Sequence, residues 1–437
     1  MLPSITLAVC MVVSPFAATA QGFSVYQAVE AIYPKLQGLY EDLHSNPELS
    51  FQEKETSARV SAWLRNIGFE VTENVGGYGV VGLLRNGAGK TILVRTDMDA
   101  LPIKEETGLH CASKVIAKDD AGNEVSVMHA CGHDVHMTVW CAVAQLLSEM
   151  KEQWKGTLIF IAQPAEERGA GAELMMEAGL YTKFPVPDYC LALHVSAQQP
   201  VGTVGMCSGY AMANVESVDI TVFGEGGHGA YPHTTIDPIV LSSQIILALQ
   251  TIVSREVKPI EPAVVTVGSI HGGTKHNIIP NEVKLQLTLR SYSDKVRAQL
   301  LDAIRRKCNG LAQAAGLPPE KYPAITIGTE SVKSLYNDPE LARRLTEIFR
   351  STIGSEHVWD VEPVMGAEDF SVYGRTEPNP PICMYWLGAV ERERFRRASA
   401  KGTSLPSTHS AQFAPDAKPT ITTGVITMTA AVLELMK

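Results

Sequence analysis

Residues 127–136, Val-Met-His-Ala-Cys-Gly-His-Asp-Val-His, limit the folds open to this chain more than any other stretch. They hold one cysteine, three histidines and one aspartate. These side chains bind borderline divalent metals, and only one glycine separates Cys131 from His133, so both can face one ion. The alternative is a core thiol beside a capping histidine. The chain has no Cys-x-x-Cys pair, as a structural zinc site would, which favours a catalytic site built from loops of a large fold.

Length and charge set the broad class of the protein. A chain of 437 residues exceeds what one core usually supports, so two domains are expected. Hydrophobic residues make up 45% of the chain and charged residues 19%, as in an ordinary globular protein. The net charge of −10, without a run of lysine or arginine, argues against nucleic acid or an anionic membrane surface as a partner.

The first twenty residues are expected to be an export signal. Residues 2–20 carry no charged side chain and end in Ala18-Thr19-Ala20, a small-x-small cleavage site before Gln21. A short buried helix or an N-terminal anchor is the alternative, because the usual basic region is missing. No later stretch has the ~20 uninterrupted apolar residues of a membrane span, so the mature protein is expected to be periplasmic or secreted, with no membrane segment. Its seven remaining cysteines, an odd and scattered set, do not resemble a disulfide scaffold, although isolated bridges stay open.

Three short apolar strands alternate with helical stretches in the first half of the chain. Acidic or imidazole groups lie at the end of each: Asp97 and Asp99, then Glu166 and Glu167, then His194. This alternation is typical of a doubly wound α/β sheet, which binds ligands at the carboxyl ends of its strands. The predicted strands span 91–95, 157–163 and 188–194, and the predicted helices span 22–43, 56–67 and 134–150. Pro34 is expected to kink or split the first helix, and Asp134 to cap the third.

The pattern changes near residue 214. The predicted order is strand 215–223, helix 236–254, strands 263–270 and 282–290, helix 294–315 and strand 322–327. This β-α-β-β-α-β order is that of a ferredoxin-like unit, so we expect a satellite domain inserted into the first domain. The remainder contains predicted elements at 339–353, 382–387 and 420–436. The predicted parts are a signal at 1–20, the catalytic domain at 21–213 and 329–437, and the satellite at 214–328.

Two adjacent acids, Glu166 and Glu167, follow the second strand. Adjacent side chains diverge beyond a strand end, so that one carboxylate can bind a metal while the other meets the bound water. Metal-assisted hydrolysis needs this division: an ion that lowers the pKa of water toward about 7, and a base that takes the proton. An isolated acidic pair is usually a solvated loop. The position of this acidic pair after a buried strand, downstream of the Cys/His cluster, favours a metal-dependent catalytic site instead.

Two distant histidines extend the set of candidate metal ligands. His194 ends an apolar strand and His409 lies in a polar loop, where the alternatives are a hydrogen-bonded core histidine and a surface histidine. With Cys131, His133 and Glu167 they make five ligands, too many for one tetrahedral ion that keeps an open position. Two ions that share a ligand, about 3.5–4 Å apart, fit the count.

Six ordered motifs resemble those of the dinuclear metal amidohydrolases related to aminoacylase. The nearest branch holds hippurate hydrolases, auxin-conjugate hydrolases and bacterial N-acyl-amino-acid amidohydrolases. The resemblance covers nearly everything after residue 35. One departure is Ala411, where the last motif often has proline after His-Ser. The motifs are Arg-Thr-Asp-Met-Asp-Ala-Leu-Pro at 95–102, Met-His-Ala-Cys-Gly-His-Asp-Val-His at 128–136, Gln-Pro-Ala-Glu-Glu at 163–167, Gly-Gly-His-Gly-Ala at 226–230, Asn-Ile-Ile-Pro at 277–280 and Gly-Ala-Glu-Asp-Phe at 366–370.

The resemblance implies two divalent ions per subunit, manganese or zinc, with cobalt also suited to such ligands. By this resemblance Cys131 bridges the ions. Glu167 and His409 would complete the ligands of one ion, and His133 and His194 those of the other. Glu166 would be the general base.

The resemblance also implies a homodimer through the satellite domain. His228 would reach the neighbouring active site to polarise the scissile carbonyl, and Asn277 and Arg290 would contact the substrate. An ordinary strand-end charge is the alternative for Arg290, which could otherwise pair with an α-carboxylate. Asp97 and Asp99 would orient a ligand. His136 is open between ligand support, substrate contact and a direct role in metal binding.

The expected function is metal-dependent hydrolysis of the amide bond of N-acyl or N-aroyl amino acids, or of small peptide-like conjugates. One alternative is an exported dipeptidase or carboxypeptidase, which acts on free small peptides. Another is a non-catalytic binding protein on the same fold. The acyl group and the native metal do not follow from the sequence.

Overall fold

The structure, a computed structural model, describes residues 25–437, so the expected signal at 1–20 lies outside the described residues. The helices of this part are α1 Val25–Ser45, α2 Lys54–Asn66, α3 His133–Glu149, α4 Gly171–Glu177, α5 Leu180–Lys183, α6 Pro238–Thr251, α7 Asp294–Ala314, α8 Pro339–Ile353, α9 Ser371–Arg375, α10 Arg392–Lys401 and α11 Ala417–Leu435. The strands are β1 Glu70–Thr72, β2 Val80–Asn86, β3 Thr91–Asp97, β4 Ile116–Lys118, β5 Glu124–Ser126, β6 Gly156–Gln163, β7 Tyr189–Pro200, β8 Val204–Met206, β9 Gly209–Met212, β10 Asn214–Phe223, β11 Gly227–His228, β12 Ala263–Gly272, β13 Ile278–Ile279, β14 Glu282–Ser291, β15 Ala324–Val332, β16 Leu335–Asn337, β17 Val358–Asp360 and β18 Ile382–Val390.

The larger sheet has eight strands in the order β1-β2-β6-β3-β7-β18-β8-β17. Its centre is parallel: β3 pairs with β6 and β7, and β7 pairs with β18. Both faces are covered, since Ile92 and Val94 of β3 enter a core shared with α1, α3, α8 and α11, whereas Leu93 enters a second core with α4 and α9. A strand buried on both faces is apolar through its centre, as β3 is at residues 92–94 and β6 at residues 158–162. The carboxyl ends of β6, β3 and β7 therefore meet at one edge.

The second sheet has four strands in the order β12-β14-β10-β15, and every neighbouring pair is antiparallel. Every second residue of β10 and β14 is buried, and these residues pack with α6 and α7 in a separate core. Numbered within this unit, the strand order is 2-3-1-4, that of the split βαβ arrangement. The structure thus confirms an α/β catalytic domain with an inserted ferredoxin-like domain.

Several local predictions were wrong. Helix α1 continues through Pro34, so it is not split there. Helix α3 begins at His133 after Gly132, and Asp134 lies in its first turn instead of capping it. Strand β7 continues six residues past His194 to Pro200, because β18 pairs along this whole length. The elements that were not predicted include β1, β2 and α10.

Helix α6, with the turn that follows, is the one segment of the described residues long and apolar enough to cross a membrane, spanning Pro238–Glu256. Only a third of its apolar window is buried in the chain. Its large exposed apolar side chains include Ile239, Val240 and Leu247, the last 71% exposed. Core helices of soluble proteins pass the same test of length and composition, so this helix alone does not indicate a membrane protein.

Candidate active site

The candidate ligands gather at the carboxyl edge of the central sheet. Cys131 and His133 lie at the start of α3, Glu167 in the turn after β6, His194 within β7 and His409 in the loop before α11. All but His133 line one cleft of about 920 Å³. The fold thus brings together five side chains spread over almost 280 residues of sequence.

The five side chains form two groups that share Cys131. Potential ligand atoms of Cys131, His133 and His194 lie within 4.8 Å of one another, and so do those of Cys131, Glu167 and His409. The thiol sulfur of Cys131 lies 3.4 Å from Nε2 of His194. Nε2 of His409 lies 3.4 Å from Oε2 of Glu167. The geometry suits two ions that share the cysteine.

His194 presents a free lone pair to this site. Its Nδ1 lies 2.8 Å from the carbonyl oxygen of Val195, which can only accept, so Nδ1 carries the proton and Nε2 faces Cys131 unprotonated. Burial and the nearby His136 lower the pKa of His194 to about 3. A neutral imidazole whose other nitrogen donates to a backbone carbonyl is the usual state of a metal-bound histidine.

Unpaired buried atoms show that the residues fit a metal. His133 is fully buried, yet within the described part of the chain neither ring nitrogen makes a well-aligned hydrogen bond, although Nδ1 lies 3.4 Å from Oδ1 of Asp99. Oε1 of Glu167 also lacks a hydrogen-bond partner. Buried polar atoms without partners are rare, and an ion bound among them would satisfy them. Burial lowers the pKa of His133, but the negative charges of Asp97 and Asp99 outweigh this effect and raise the pKa to about 10.

A buried acidic network lies beneath the ligands. The guanidinium of Arg95 is 2.6 Å from Asp97, 2.7 Å from Glu368 and 3.2 Å from Asp369. Burial, opposed by Arg95, raises the pKa of Asp369 to about 8. Because one arginine faces three carboxylates and more acids lie nearby, the site favours cations.

Asp99 fixes the turn that carries Glu166 and Glu167. Its two carboxylate oxygens accept hydrogen bonds from the backbone N–H groups of Glu166 (3.1 Å) and Glu167 (3.0 Å). The preceding Ala165 has a φ of 49°, a left-handed conformation uncommon for a residue with a Cβ, and its N–H donates to the buried Glu53. Burial, Glu368 and Glu167 raise the pKa of Glu166 well above its ordinary value.

His409 is the most exposed ligand candidate, with 53% of its side chain accessible. Its backbone is also left-handed, at φ 64°, and its N–H donates to the carbonyl oxygen of Ala130 at 2.8 Å. This bond ties the His409 loop to the residue before Cys131. Strained backbone held by tertiary contacts is typical of functional sites.

Both ring nitrogens of His136 are engaged by the protein. Nε2 accepts the backbone N–H of Val195 at 2.9 Å, so Nδ1 carries the proton and donates to Asp97 at 2.7 Å. The residue is buried and does not line the cleft. The substrate contact predicted for His136 therefore has no free nitrogen in this structure, and its geometry is that of a support between Asp97 and β7.

The three satellite residues that were predicted to be functional lie in different surroundings: one lines the cleft and two are exposed outside it. Arg290 of β14 lines the cleft and donates to the carbonyl oxygen of Met365 at 3.2 Å. His228 of β11 is exposed, and Asn277 lies in the exposed segment before β13. Neither lines the cleft of its own chain.

Several buried residues around the site escaped the sequence analysis as functional candidates. For Arg95 a signal existed, because a charge inside an apolar strand requires buried partners. For the buried His44 and Glu53 and the partly buried Ser50, which lie in a segment that resembles an ordinary helix end and turn, the sequence offered no signal. The buried Glu368 and Asp369 lie in the quoted motif at 366–370, but no role was predicted for them.

Comparison with known proteins agrees with this geometry. The chain is 38% identical over 378 residues, 86% of its length and 88% of the relative's, to thermostable carboxypeptidase 2 of Saccharolobus solfataricus. It is 34% identical over 379 residues, 84% of its length and 92% of the relative's, to N-acetylcysteine deacetylase of Bacillus subtilis. A crystal structure of a dinuclear metal-binding peptidase of the M20 family from Bacillus subtilis matches with a TM-score of 0.75 and 28% identity, covering 93% of this chain and 99% of that one.

A family model extends the agreement to most of the chain. The model of Peptidase family M20/M25/M40 matches residues 93–401, which include the Cys/His cluster, the acidic pair and the satellite domain. His409 lies just beyond the matched segment. The chain thus belongs to peptidase family M20/M25/M40 and is a metal-dependent hydrolase of amide bonds, as the resemblance of its motifs predicted.

Proposed function

We propose that this enzyme hydrolyses the amide bond of N-acyl or N-aroyl amino acids with two divalent ions, manganese or zinc, per subunit. One observation carries the proposal: two ligand groups share Cys131 in a cleft that also contains Glu166 and Arg290. Cys131, Glu167 and His409 would hold one ion, and Cys131, His133 and His194 the other. When bound, such ions lower the pKa of a coordinated water and polarise the scissile carbonyl.

The protein residues divide the remaining work. Glu166, held by its N–H bond to Asp99, takes a proton from the attacking water and returns it to the leaving amine. The protonated form that burial and neighbouring acids favour is the one that donates to the amine. Asp99 holds the backbone N–H groups of both glutamates, and in this turn Glu167 would be the one that binds the metal.

Arg290 supplies a positive charge that can pair with the carboxylate on the amino-acid part of the substrate. It is partly buried, and one guanidinium nitrogen is held by Met365, which leaves others to meet an anion. A planar guanidinium pairs with a carboxylate through two parallel hydrogen bonds. The apolar side of the cleft, with Met212, Trp359 and Trp386, suits an acyl or aroyl group.

The first experiment is the metal content of the mature protein purified without added metal, with hydrolysis of benzoylglycine and acetyl-amino acids before and after chelation. We expect about two ions per subunit, and activity that is lost with chelator and restored by manganese or zinc. Chelator-insensitive hydrolysis by metal-free protein would overturn the proposal.

A second candidate function is carboxypeptidase or dipeptidase activity, which the likeness to the thermostable carboxypeptidase favours. Such an enzyme would cleave free peptides in preference to their acyl counterparts. Comparing kcat/KM for benzoylglycine with that for free dipeptides of the same carboxyl-terminal residue decides between them. A higher value for the free dipeptides would favour the second candidate.

We also propose that two copies pair through the satellite domain and that His228 acts in the partner's cleft. The exposed apolar residues of α6 and the open edge of β12 support this pairing. A dimer of one Glu166→Ala chain and one His228→Ala chain tests this proposal. One of its two active sites would contain both an intact Glu166 and the intact His228 of the other chain. We expect each variant to be inactive alone and the refolded mixture to regain about a quarter of wild-type activity, as statistical pairing predicts. Failure to regain activity would contradict action across the dimer.

The exported location remains a proposal of the same kind, supported by the uncharged residues 2–20 and the Ala18-Thr19-Ala20 site. Amino-terminal sequencing of the protein recovered from an export-competent host tests it. The expected first residue is Gln21. A mature protein that retains residues 1–20 would contradict cleavage.

A further inference from the structure

A buried histidine outside the ligand set joins two segments of the active site. His44, in the last turn of α1, is 1% exposed. Its Nδ1 lies 2.6 Å from Oδ2 of Asp134 and its Nε2 lies 3.0 Å from Oε1 of Glu105. Both carboxylates are themselves buried. Two hydrogen-bonded acids on one imidazole overcome the effect of burial and raise the pKa of His44 to about 10, so the ring is positively charged at neutral pH.

One arm of this arrangement, the contact of His44 with Asp134, leads to the first ligand group, which consists of Cys131, His133 and His194. Asp134 follows His133 directly in the first turn of α3, and its other oxygen accepts the N–H of Val135 at 2.8 Å. Because His44 holds this carboxylate, the turn that presents Cys131 and His133 is anchored to α1. The orientation of both ligands depends on that turn, since Gly132 between them has a φ of 82°.

The other arm, the contact of His44 with Glu105, leads to the loop of His409, which belongs to the second ligand group with Cys131 and Glu167. Oε2 of Glu105 accepts the N–H of Ser113 at 2.6 Å, which closes the loop around residues 105–113. The N–H of the next residue, Glu106, donates to the carbonyl oxygen of Ala411 at 2.8 Å, two residues after His409. Ala411 stands where the family that the motifs resemble often has proline. The loop therefore lacks the rigidity of that proline, and the hydrogen bond from Glu106 supports it instead.

We propose that His44 is a positioning residue that sets the distance between the two metal-ligand groups, acting on Cys131 and His133 through Asp134 and on His409 through Glu105. The inference rests on the metal-binding role proposed above for these ligands. Its chemistry is that of a charged clamp, because a cation between two buried carboxylates holds both more firmly than a neutral donor would. Partners that orient metal ligands typically change metal affinity by about 10- to 100-fold when they are removed.

Two substitutions separate the arms. The side-chain amide of His44→Asn can replace Nδ1 and keep the contact with Asp134, whereas that of His44→Gln can replace Nε2 and keep the contact with Glu105. The two zinc dissociation constants would be measured with a competing chelator in the full-length mature protein. We expect His44→Asn mainly to weaken the site of Glu167 and His409, and His44→Gln mainly to weaken the site of His133 and His194, each by about tenfold or more.

Arg297→Gln is the matched control. It breaks the ion pair with the buried Glu216 in the satellite domain, away from the ligand segments, and should lower stability without changing either zinc constant. If a His44 variant does not fold, Glu105→Gln keeps the acceptor for Ser113 and tests the same arm. Constants within twofold of wild type in both His44 variants, or equal weakening in Arg297→Gln, would overturn the clamp. A wild-type protein that binds neither zinc nor manganese would instead overturn the proposed function.

Discussion

At the scale of single residues, Glu166 and Glu167 show how neighbours in sequence acquire different tasks. Glu167 has a carboxylate oxygen near His409 and another without a partner, whereas Glu166 faces Glu368 and Asp369. Only Glu167 belongs to a group that contains Cys131. The difference arises from the turn after β6, where Asp99 holds both backbone N–H groups.

Glu166→Gln should keep both ions and lose catalysis. Removal of a general base typically costs about 10²- to 10⁴-fold in rate, and we expect kcat to fall within that range. Metal content and the circular dichroism spectrum should match wild type. Glu173→Gln, an exposed acid on α4, is the control and should be fully active. Wild-type turnover in Glu166→Gln would rule out its role as the base.

Arg290→Gln should impair binding of substrates that carry a carboxylate. A hydrogen bond to a charged group contributes about 1.5–3 kcal/mol, so KM for benzoylglycine should rise by about 10- to 100-fold. KM for benzoylglycinamide, which lacks that charge, should change little. Equal effects on both substrates would mean that Arg290 supports the cleft wall through Met365 instead of binding the carboxylate.

What the sequence reveals at this scale depends on spacing. Cys131 and His133 stand out because ligand types are dense in a short stretch, and Glu166 and Glu167 because they are adjacent acids after a buried strand. The structure places Cys131, His133 and Glu167 in the two groups. His409 stands out only in combination with the other four candidate ligands. His44 does not stand out at all, because it lies between two acids that are distant in the chain. A contact across 61 or 90 residues leaves no local pattern.

At the scale of elements, periodicity predicted the long helices and strands well. Helix α8 has the predicted bounds, and α7 differs by one residue. The missed elements β1 and β2 form the outer edge of the large sheet. Strand β1 has only three residues, and β2 follows a glycine-rich turn and pairs antiparallel with β6. Its role depends on that partner, which a local pattern does not reveal.

Helix α6 gives a prediction at this scale. Leu247→Glu places a charge on its most exposed apolar position, so it should disrupt pairing through the satellite and leave the fold of one chain intact. Light scattering should show monomers, with metal content unchanged and activity lost because His228 no longer reaches a partner. The control is Gln250→Glu, at an exposed polar position of the same helix. A fully active monomer would contradict the role of His228.

At the scale of the whole molecule, His44 should leave a signature in the pH dependence of stability. Its pKa is about 10 in the folded chain against an ordinary 6.5, so folding favours the protonated ring. The stabilisation is complete below pH 6.5 and is lost as pH rises through 10. The groups that face the ring are Asp134, Glu105 and the side chain of Tyr40.

Denaturant titrations of wild type and His44→Asn at pH 6, 8 and 10 measure this effect under the same metal conditions. Removing one partner of a buried ion pair typically costs about 3–5 kcal/mol, and we expect such a gap in the free energy of unfolding at pH 6. The gap should narrow toward pH 10, where the wild-type ring loses its proton. A gap that stays constant with pH would mean that packing, and not charge, accounts for the difference.

The cysteines of the described chain are all buried and unbridged, and only Cys131 lines the cleft. A bound metal would shield the Cys131 thiol from an alkylating reagent small enough to enter the cleft. Burial and the nearby Glu167 raise the pKa of this thiol well above its ordinary value, so it reacts slowly when no metal is present. Long exposure to iodoacetamide with and without added metal, followed by the mass of the peptide that contains Cys131, would therefore report metal occupancy without a substrate and without any assumption about which amide the enzyme prefers.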